Sequence, residues 1–187
     1  MDFSWVRQLA EQSNQYELEK QEKERRRQED ERLAALATVP FVEKLFLLIG
    51  ACCEEFNRHC MFSDLRVVTG RNIAKRTKGP NAIGPLDENA YFTFARRNSM
   101  YGMRGSNGIV EFVDSVQVSD VNSAMTLRLD EMSVTVAYKL VAKVEGNPAD
   151  LSSKNVVWTL NDDVMDGPKL INLCQHYFSE FVKRTND

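Results

Sequence analysis

The sequence predicts an α+β fold, in which an antiparallel sheet of about five or six strands is packed against two helices and carries a charged N-terminal helical extension. Residues 2–37 contain strong helix formers and neither Gly nor Pro. A second stretch, after Pro40, has apolar residues at three- and four-residue spacing. Beyond Asp64 apolar and polar residues alternate, with turn residues between short segments. Short connections imply antiparallel pairing without βαβ crossovers.

The length of 187 residues and a hydrophobic content of 43% suit one domain with an appendage. The change in composition near Pro40 predicts the boundary between the two parts. Residues 1–38 are expected to form a charged helical arm, and residues 39–187 the α+β domain.

The arm is charged in its middle and apolar at its ends. Twelve of the fourteen residues from Glu19 to Arg32 are charged and none is apolar. Pairs such as Glu22 and Arg26 place opposite charges at helical spacing. A sustained coiled coil would need apolar residues through this middle. The sequence therefore predicts a projecting or partly docked helix whose middle is a solvated spacer.

Two further helices are expected in the domain. Pro40 predicts a break after the arm and the start of a new helix over residues 41–60. A terminal helix is expected from Pro168, with Asp166 as its N-cap.

The strands are predicted by alternation and turn residues. Residues 65–70, 90–97 and 154–160 each alternate, and Asn107-Gly108 predicts a tight hairpin before the strand that contains Val110 and Phe112. The apolar parity flips at Asp130-Glu131, which requires a turn or a bulge there and favours a tight turn between one strand and a long following strand.

The chain has no basic segment followed by an apolar one at its N-terminus, and its longest apolar runs are about half of the ~20 residues that a membrane span needs. The sequence thus predicts no membrane span, reduced cysteines and a cytoplasmic location.

Catalytic and metal-binding motifs are missing from the sequence. The four cysteines and two histidines lack the spacing of a zinc site, and no phosphate-binding loop or nucleophile elbow occurs. A Cys–His nucleophile pair assembled in space remains open. We expect no metal, no cofactor and no catalytic residues, and more readily a non-enzymatic protein than an enzyme.

The leading functional hypothesis is a protein–protein interaction or adaptor module that assembles through its N-terminal helix. Its partner would be another protein or a second copy of the chain, giving a homo-oligomer. The expected contact residues are the apolar ones of the first four turns, Trp5, Val6, Leu9 and Tyr16.

A second hypothesis is phosphate or nucleic-acid binding through the basic 71–104 region, because residues 66–104 carry 8 basic and 2 acidic side chains. The sequence pI of about 5.5 argues against it. The candidate residues are Arg71, Lys75, Arg76, Lys78, Arg96, Arg97 and Arg104.

A third hypothesis is a small-molecule pocket protein or enzyme that uses a cavity between sheet and helices. The candidate lining residues are Phe92, Phe94, Phe112, Tyr138 and Trp158. Aromatic residues at this strand spacing are also typical of an ordinary core.

Overall fold

The structure is a computed structural model that describes residues 3–75, 88–97, 99–116, 135–147 and 153–186. These ranges contain two α-helices and one antiparallel sheet of seven strands, which confirms the α+β class. The elements in chain order are α1 (Ser4–His59), β1 (Val68–Lys75), β2 (Glu88–Arg96), β3 (Ser99–Ser106), β4 (Ile109–Val116), β5 (Thr135–Glu145), β6 (Asn155–Leu160), β7 (Asp163–Val164) and α2 (Gly167–Arg184).

The sheet is a meander, in which each strand pairs antiparallel with the next strand along the chain. The expected hairpin joins β3 to β4, where Asn107 and Gly108 have φ angles of 51° and 78°. Gly108 also lies against α1, since a Cβ there would come within 2.9 Å of the Ala34 side chain.

The core lies between one face of the sheet and the two helices. Phe41 of α1 stacks on Trp158 of β6, with ring centroids 4.1 Å apart, and Phe46 stacks on Phe92 of β2 at the same distance. From α2, Phe181 meets the Phe94 ring edge-on at 4.8 Å. Each buried aromatic ring of this kind stabilises the fold by about 2–3 kcal/mol.

The expected helix break at Pro40 was wrong, because α1 runs without interruption from Ser4 to His59. Pro40 cannot donate to the carbonyl of Leu36, which costs the helix one hydrogen bond. Tertiary contacts compensate on the opposite side of the helix. Thr38, 1% exposed, donates to the Ala34 carbonyl and accepts from the Gly108 amide at 2.9 Å.

The sheet has more strands than expected. β1 continues through Lys75, into residues that the sequence indicated as loop, and the two-residue β7 adds a seventh strand. Phe112 and Val113 are both buried, whereas strict alternation would bury only one of them, and the pairing of β4 with β5 shifts its register between these two residues. The turn expected at Asp130-Glu131 and the strand before it lie outside the described residues.

The Asp166 N-cap of α2 is confirmed. The Asp166 carboxylate accepts from the Lys169 amide at 2.9 Å, and Pro168 occupies the first turn. This cap fixes where α2 begins, and therefore which of its faces lies on the sheet.

Candidate docking surfaces

The first half of α1 projects from the domain. Ala34 is the first residue of the helix that is buried, and residues 3–21 are all exposed. The contact between arm and domain that is described nearest to the tip joins Asp30 to Lys154 Nζ at 2.5 Å. The Lys154 side chain is 6% exposed. At a rise of 1.5 Å per residue, the helix before Asp30 extends for about 40 Å.

Ion pairs within the arm keep it helical without help from the domain. Arg25 and Arg26 both donate to Glu22 at 2.9 Å, and Arg27 donates to Glu24 at 2.7 Å. The hydrogen bonds from Arg25 and then Arg26 lower the pKa of Glu22 to about 2. Each exposed pair contributes little by itself, but several along one helix favour a stiff spacer over a coil.

The tip of the arm carries the four residues that the sequence singled out, and the structure leaves all of them exposed. Trp5, Leu9 and Tyr16 are 60%, 55% and 69% exposed, and Val6 is exposed as well. At 100° per residue, Trp5, Leu9 and Tyr16 fall within about 40° of one another around the helix axis. The structure thus places Trp5, Leu9 and Tyr16 in one apolar stripe, which we call the tip stripe. Val6 lies beside it, about 60–100° further around the helix.

A groove of about 760 Å³ lies between the second half of α1 and α2. Leu48, Ala51 and Cys52 of α1 face Ile171 and Cys174 of α2 across it. The groove is lined mainly by apolar atoms, and its titratable groups other than thiols are Glu55 and His59, both exposed. We call this site the α1–α2 groove.

Two thiols of the groove, those of Cys52 and Cys174, are poorly suited to nucleophilic chemistry. Burial raises the pKa of Cys174 to about 12 and also raises the pKa of Cys52. The neighbouring Cys53 is buried on the core side of α1, and its pKa is also raised to about 12 by burial. Only the thiolate is a good nucleophile or metal ligand. Among the described residues, no group of three His, Cys, Asp or Glu side chains is placed to hold a metal ion.

The expected pocket residues lie apart from this groove. Phe92, Phe94, Phe112 and Trp158 are buried in the core, and Tyr138 packs against it and meets the Phe112 ring edge-on at 5.8 Å. They fill the space between sheet and helices, and the α1–α2 groove is lined by other residues.

Arg96 is 4% exposed. Its Nε donates to the Leu65 carbonyl at 2.8 Å, and its Nη1 lies 2.9 Å from Thr185 Oγ1 and 2.8 Å from Asn186 Oδ1. The guanidinium also lies 5.4 Å from the centre of the Phe56 ring. These contacts direct it into the protein, where it joins the end of α2 to the segment after α1.

The other basic candidates do not assemble into one surface in the described residues. Arg97 donates to the Thr185 and Asn186 carbonyls. Arg104 on β3 pairs with Glu111 on β4, which also pairs with Lys139 on β5. The remaining candidates are not described at the level of side chains: Arg71 and Lys75 contribute backbone to β1, and Arg76 and Lys78 lie outside the described residues.

One helix in the described part of the chain, α1, is long and apolar enough to cross a membrane. Its most apolar 18-residue window has a mean hydropathy of 1.8, and 33% of that window is buried inside the protein. This test uses length and composition only, and the core helix of a folded domain also meets it. The expected absence of a membrane span therefore stays a prediction.

Comparisons with known proteins add no functional information, because the chain matches no protein-family model, no curated protein and no solved structure. The function must therefore be argued from the tip stripe and the α1–α2 groove.

Sequence reasoning missed the α1–α2 groove. The sequence feature that indicates a second contact lies in the second half of α1, which has apolar residues around most of its circumference. Phe41, Leu45 and Ile49 are buried on the sheet side, whereas Leu47 on the outer side is 69% exposed. A helix with apolar residues on two sides predicts a second contact, but the sequence does not show whether the same chain provides it.

Proposed function

We propose that this protein is a non-enzymatic protein-interaction module that binds its partner through the tip stripe. The observation that carries the proposal is the exposure of Trp5, Leu9 and Tyr16 on one side of a helix that projects about 40 Å from the domain. Monomeric proteins seldom expose such clusters, and aromatic residues are enriched where proteins bind one another.

The construction of the arm supports the same proposal. The charged middle of the arm has its own ion pairs and favours a continuous helix, so the tip stripe is kept away from the domain that carries it. A rigid helix loses little conformational entropy when its tip is bound. An apolar stripe on a stiff support is therefore a favourable geometry for docking on another protein.

The chemistry of the domain supports a non-enzymatic role. Burial raises the pKa of the Cys52 and Cys174 thiols, and the described Arg96, Arg97 and Arg104 direct their donors to acceptors within the protein.

Site-specific photocrosslinking tests the proposal. A benzophenone side chain at Leu9 lies within the tip stripe, and the same group at Glu11 lies about 160° away around the helix and is the matched control. In the cells that make the protein, we expect covalent protein adducts from position 9 and few from position 11. Equal yields from both positions would show that the tip stripe is not a docking surface.

A further inference from the structure

We propose that the partner of the tip stripe is a second copy of this chain, with two α1 helices paired antiparallel about a two-fold axis beside Gln28. This inference rests on the proposed function and adds the partner and its contact surface. The tip stripe of each copy would lie on the exposed outer side of α1 in the other copy, around Leu47 and Ala51, at the edge of the α1–α2 groove.

The order of charges around Gln28 supports the antiparallel direction. Three arginines, Arg25–Arg27, come immediately before Gln28, and three acidic residues, Glu29–Glu31, come immediately after it. Two identical antiparallel helices centred there place Arg26 of each copy facing Asp30 of the other, and they set Arg25 and Arg27 at the height of Glu31 and Glu29 of the other copy, on the flanks of the pair. A parallel pair in register would instead place each arginine opposite the same arginine, which is repulsive.

The ion pairs within each helix leave donors for such contacts. Arg26 uses its Nε on Glu22, and a guanidinium has five N–H donors in all. Glu22 is shared by Arg25 and Arg26, so two arginines depend on one carboxylate within the chain. Additional carboxylates from a second helix would fit this excess of donors.

The same axis brings the exposed apolar residues together. Leu9 lies 19 residues before Gln28 and Leu47 lies 19 residues after it, so Leu9 of one copy meets Leu47 of the other. Trp5 meets Ala51 in the same way, 23 residues from the axis. The Leu9 contacts lie about 28 Å on either side of the axis at 1.5 Å per residue. One axis therefore satisfies both the charges and the apolar residues.

These residues also follow one seam along the helix. Steps of four and three residues from Trp5 lead through Leu9 and Tyr16 to Leu47 and Ala51, and such spacing keeps residues on one side of paired, supercoiled helices. At the centre of the seam the two-fold axis places Arg26 of one copy opposite Asp30 of the other. The Asp30 carboxylate also pairs through Oδ1 with Lys154 of its own domain, so Arg26 would share this carboxylate. The polar middle that argued against a sustained apolar coiled coil is thus compatible with this pairing.

From Pro40 onward the seam is accessible along the domain. Pro40, Lys44, Leu47 and Ala51 are exposed, because α1 uses its other side to pack on the sheet. Ala51 is also a lining residue of the α1–α2 groove, so Trp5 of the other copy would reach the edge of that groove. Two-fold symmetry makes every contact occur twice.

A mixing experiment with full-length chains tests the pairing. One variant carries Arg25→Glu, Arg26→Glu and Arg27→Glu, and the other carries Glu29→Lys, Asp30→Lys and Glu31→Lys. Each alone places like charges opposite each other, so we expect self-association at least about tenfold weaker than in the natural chain. An equimolar mixture restores opposite charges throughout, and we expect it to dimerise within about threefold of the natural chain.

Sedimentation equilibrium measures these constants, and circular dichroism verifies that both variants keep their helix. Mixing changes no contact within a chain, so recovery in the mixture reports contacts between chains only. Dimers that persist in both separate variants, or variants that stay monomeric when mixed, would overturn the pairing.

A second pair of variants tests the apolar ends. Leu47→Glu should weaken the dimer at least about tenfold, because it buries a charge against Leu9 of the other copy. Val68→Glu is the control, since Val68 is 60% exposed at the start of β1, outside the seam. Equal effects of the two changes would contradict the assigned contact surface.

The outcomes separate this inference from the proposed function. A monomeric full-length chain whose Leu9 adduct contains a different protein would overturn self-pairing and leave the tip stripe as a docking surface. A monomer without adducts would overturn both. A monomer that floats with phosphatidylcholine–phosphatidylserine vesicles would assign the exposed side of α1 to lipid and also overturn the pairing.

Discussion

Arg96, which the sequence placed among the candidates for anion binding, has a structural role instead. Its hydrogen bonds join the Leu65 carbonyl after α1 to Thr185 and Asn186 at the end of α2. A cation beside the C-terminal end of a helix also interacts favourably with the helix dipole. One guanidinium at the end of β2 therefore joins the segment after α1 to the end of α2, two parts that lie far apart in the sequence.

We expect Arg96→Met to lower the free energy of unfolding by about 3 kcal/mol, because it leaves several buried acceptors without their charged donor. The control is Arg104→Met, which removes a partly exposed pair with Glu111 and should cost less than about 1 kcal/mol. Urea unfolding of both variants measures the difference. Equal, small losses would contradict the structural role of Arg96.

Tyr177 shows how α2 accommodates irregularities of the sheet. Its hydroxyl hydrogen-bonds the Gly102 and Val113 carbonyls, and both residues adjoin register shifts where the strand ladder is interrupted. Buried carbonyls need a donor. A side chain that packs among the aromatic residues of the core therefore also brings a hydrogen-bond donor to the backbone of the sheet.

At the scale of elements, α1 combines two different kinds of stability. Its second half is helical because Phe41, Val42 and Leu45 are buried on the sheet, and this packing outweighs the hydrogen bond lost at Pro40. Its first half buries little and depends on propensity and on ion pairs such as Arg27 with Glu24. The two halves should therefore respond differently to solution conditions.

We expect acid to loosen the arm before the domain. The hydrogen bonds from Arg25 and Arg26 lower the pKa of Glu22 to about 2, from 4.5, and those from Arg27 lower the pKa of Glu24. A carboxyl whose pKa is lower in the helix than in the coil stabilises the helix above pH 4.5, and this stabilisation is lost as the pH falls towards 2.

The effect is modest because these carboxylates are fully exposed and screened by salt. Backbone chemical shifts of residues 17–32 in the full chain, followed from pH 6 to pH 2, measure it directly. Shifts that remain helical throughout this range would show that propensity alone maintains the arm.

At the scale of the whole molecule, the arm and the domain are nearly independent in stability. The tip stripe is exposed. Asp30 of the arm forms an ion pair with Lys154 of the domain. Packing between α1 and the sheet begins at Ala34. The arm therefore contributes surface for binding and little to the core.

We expect removal of residues 1–29 to change the free energy of unfolding of the domain by less than about 1 kcal/mol, since no side chain from residue 3 to residue 33 is buried. The measurement is urea unfolding at concentrations below those of association. The same truncation should remove self-association, which light scattering at high concentration detects. A loss above about 2 kcal/mol would mean that the arm contacts the domain more extensively.

The sequence by itself determined the α+β class, the Asn107-Gly108 hairpin, the Asp166 cap and the charged arm with its apolar ends. These features follow from local spacing and propensity, which act over a few residues. Tertiary structure decided that α1 continues through Pro40, that Arg96 is buried, that Val113 joins the core and that a groove forms between α1 and α2. Each depends on contacts between residues far apart in the chain, because burial against the sheet supplies free energy that local preferences do not contain.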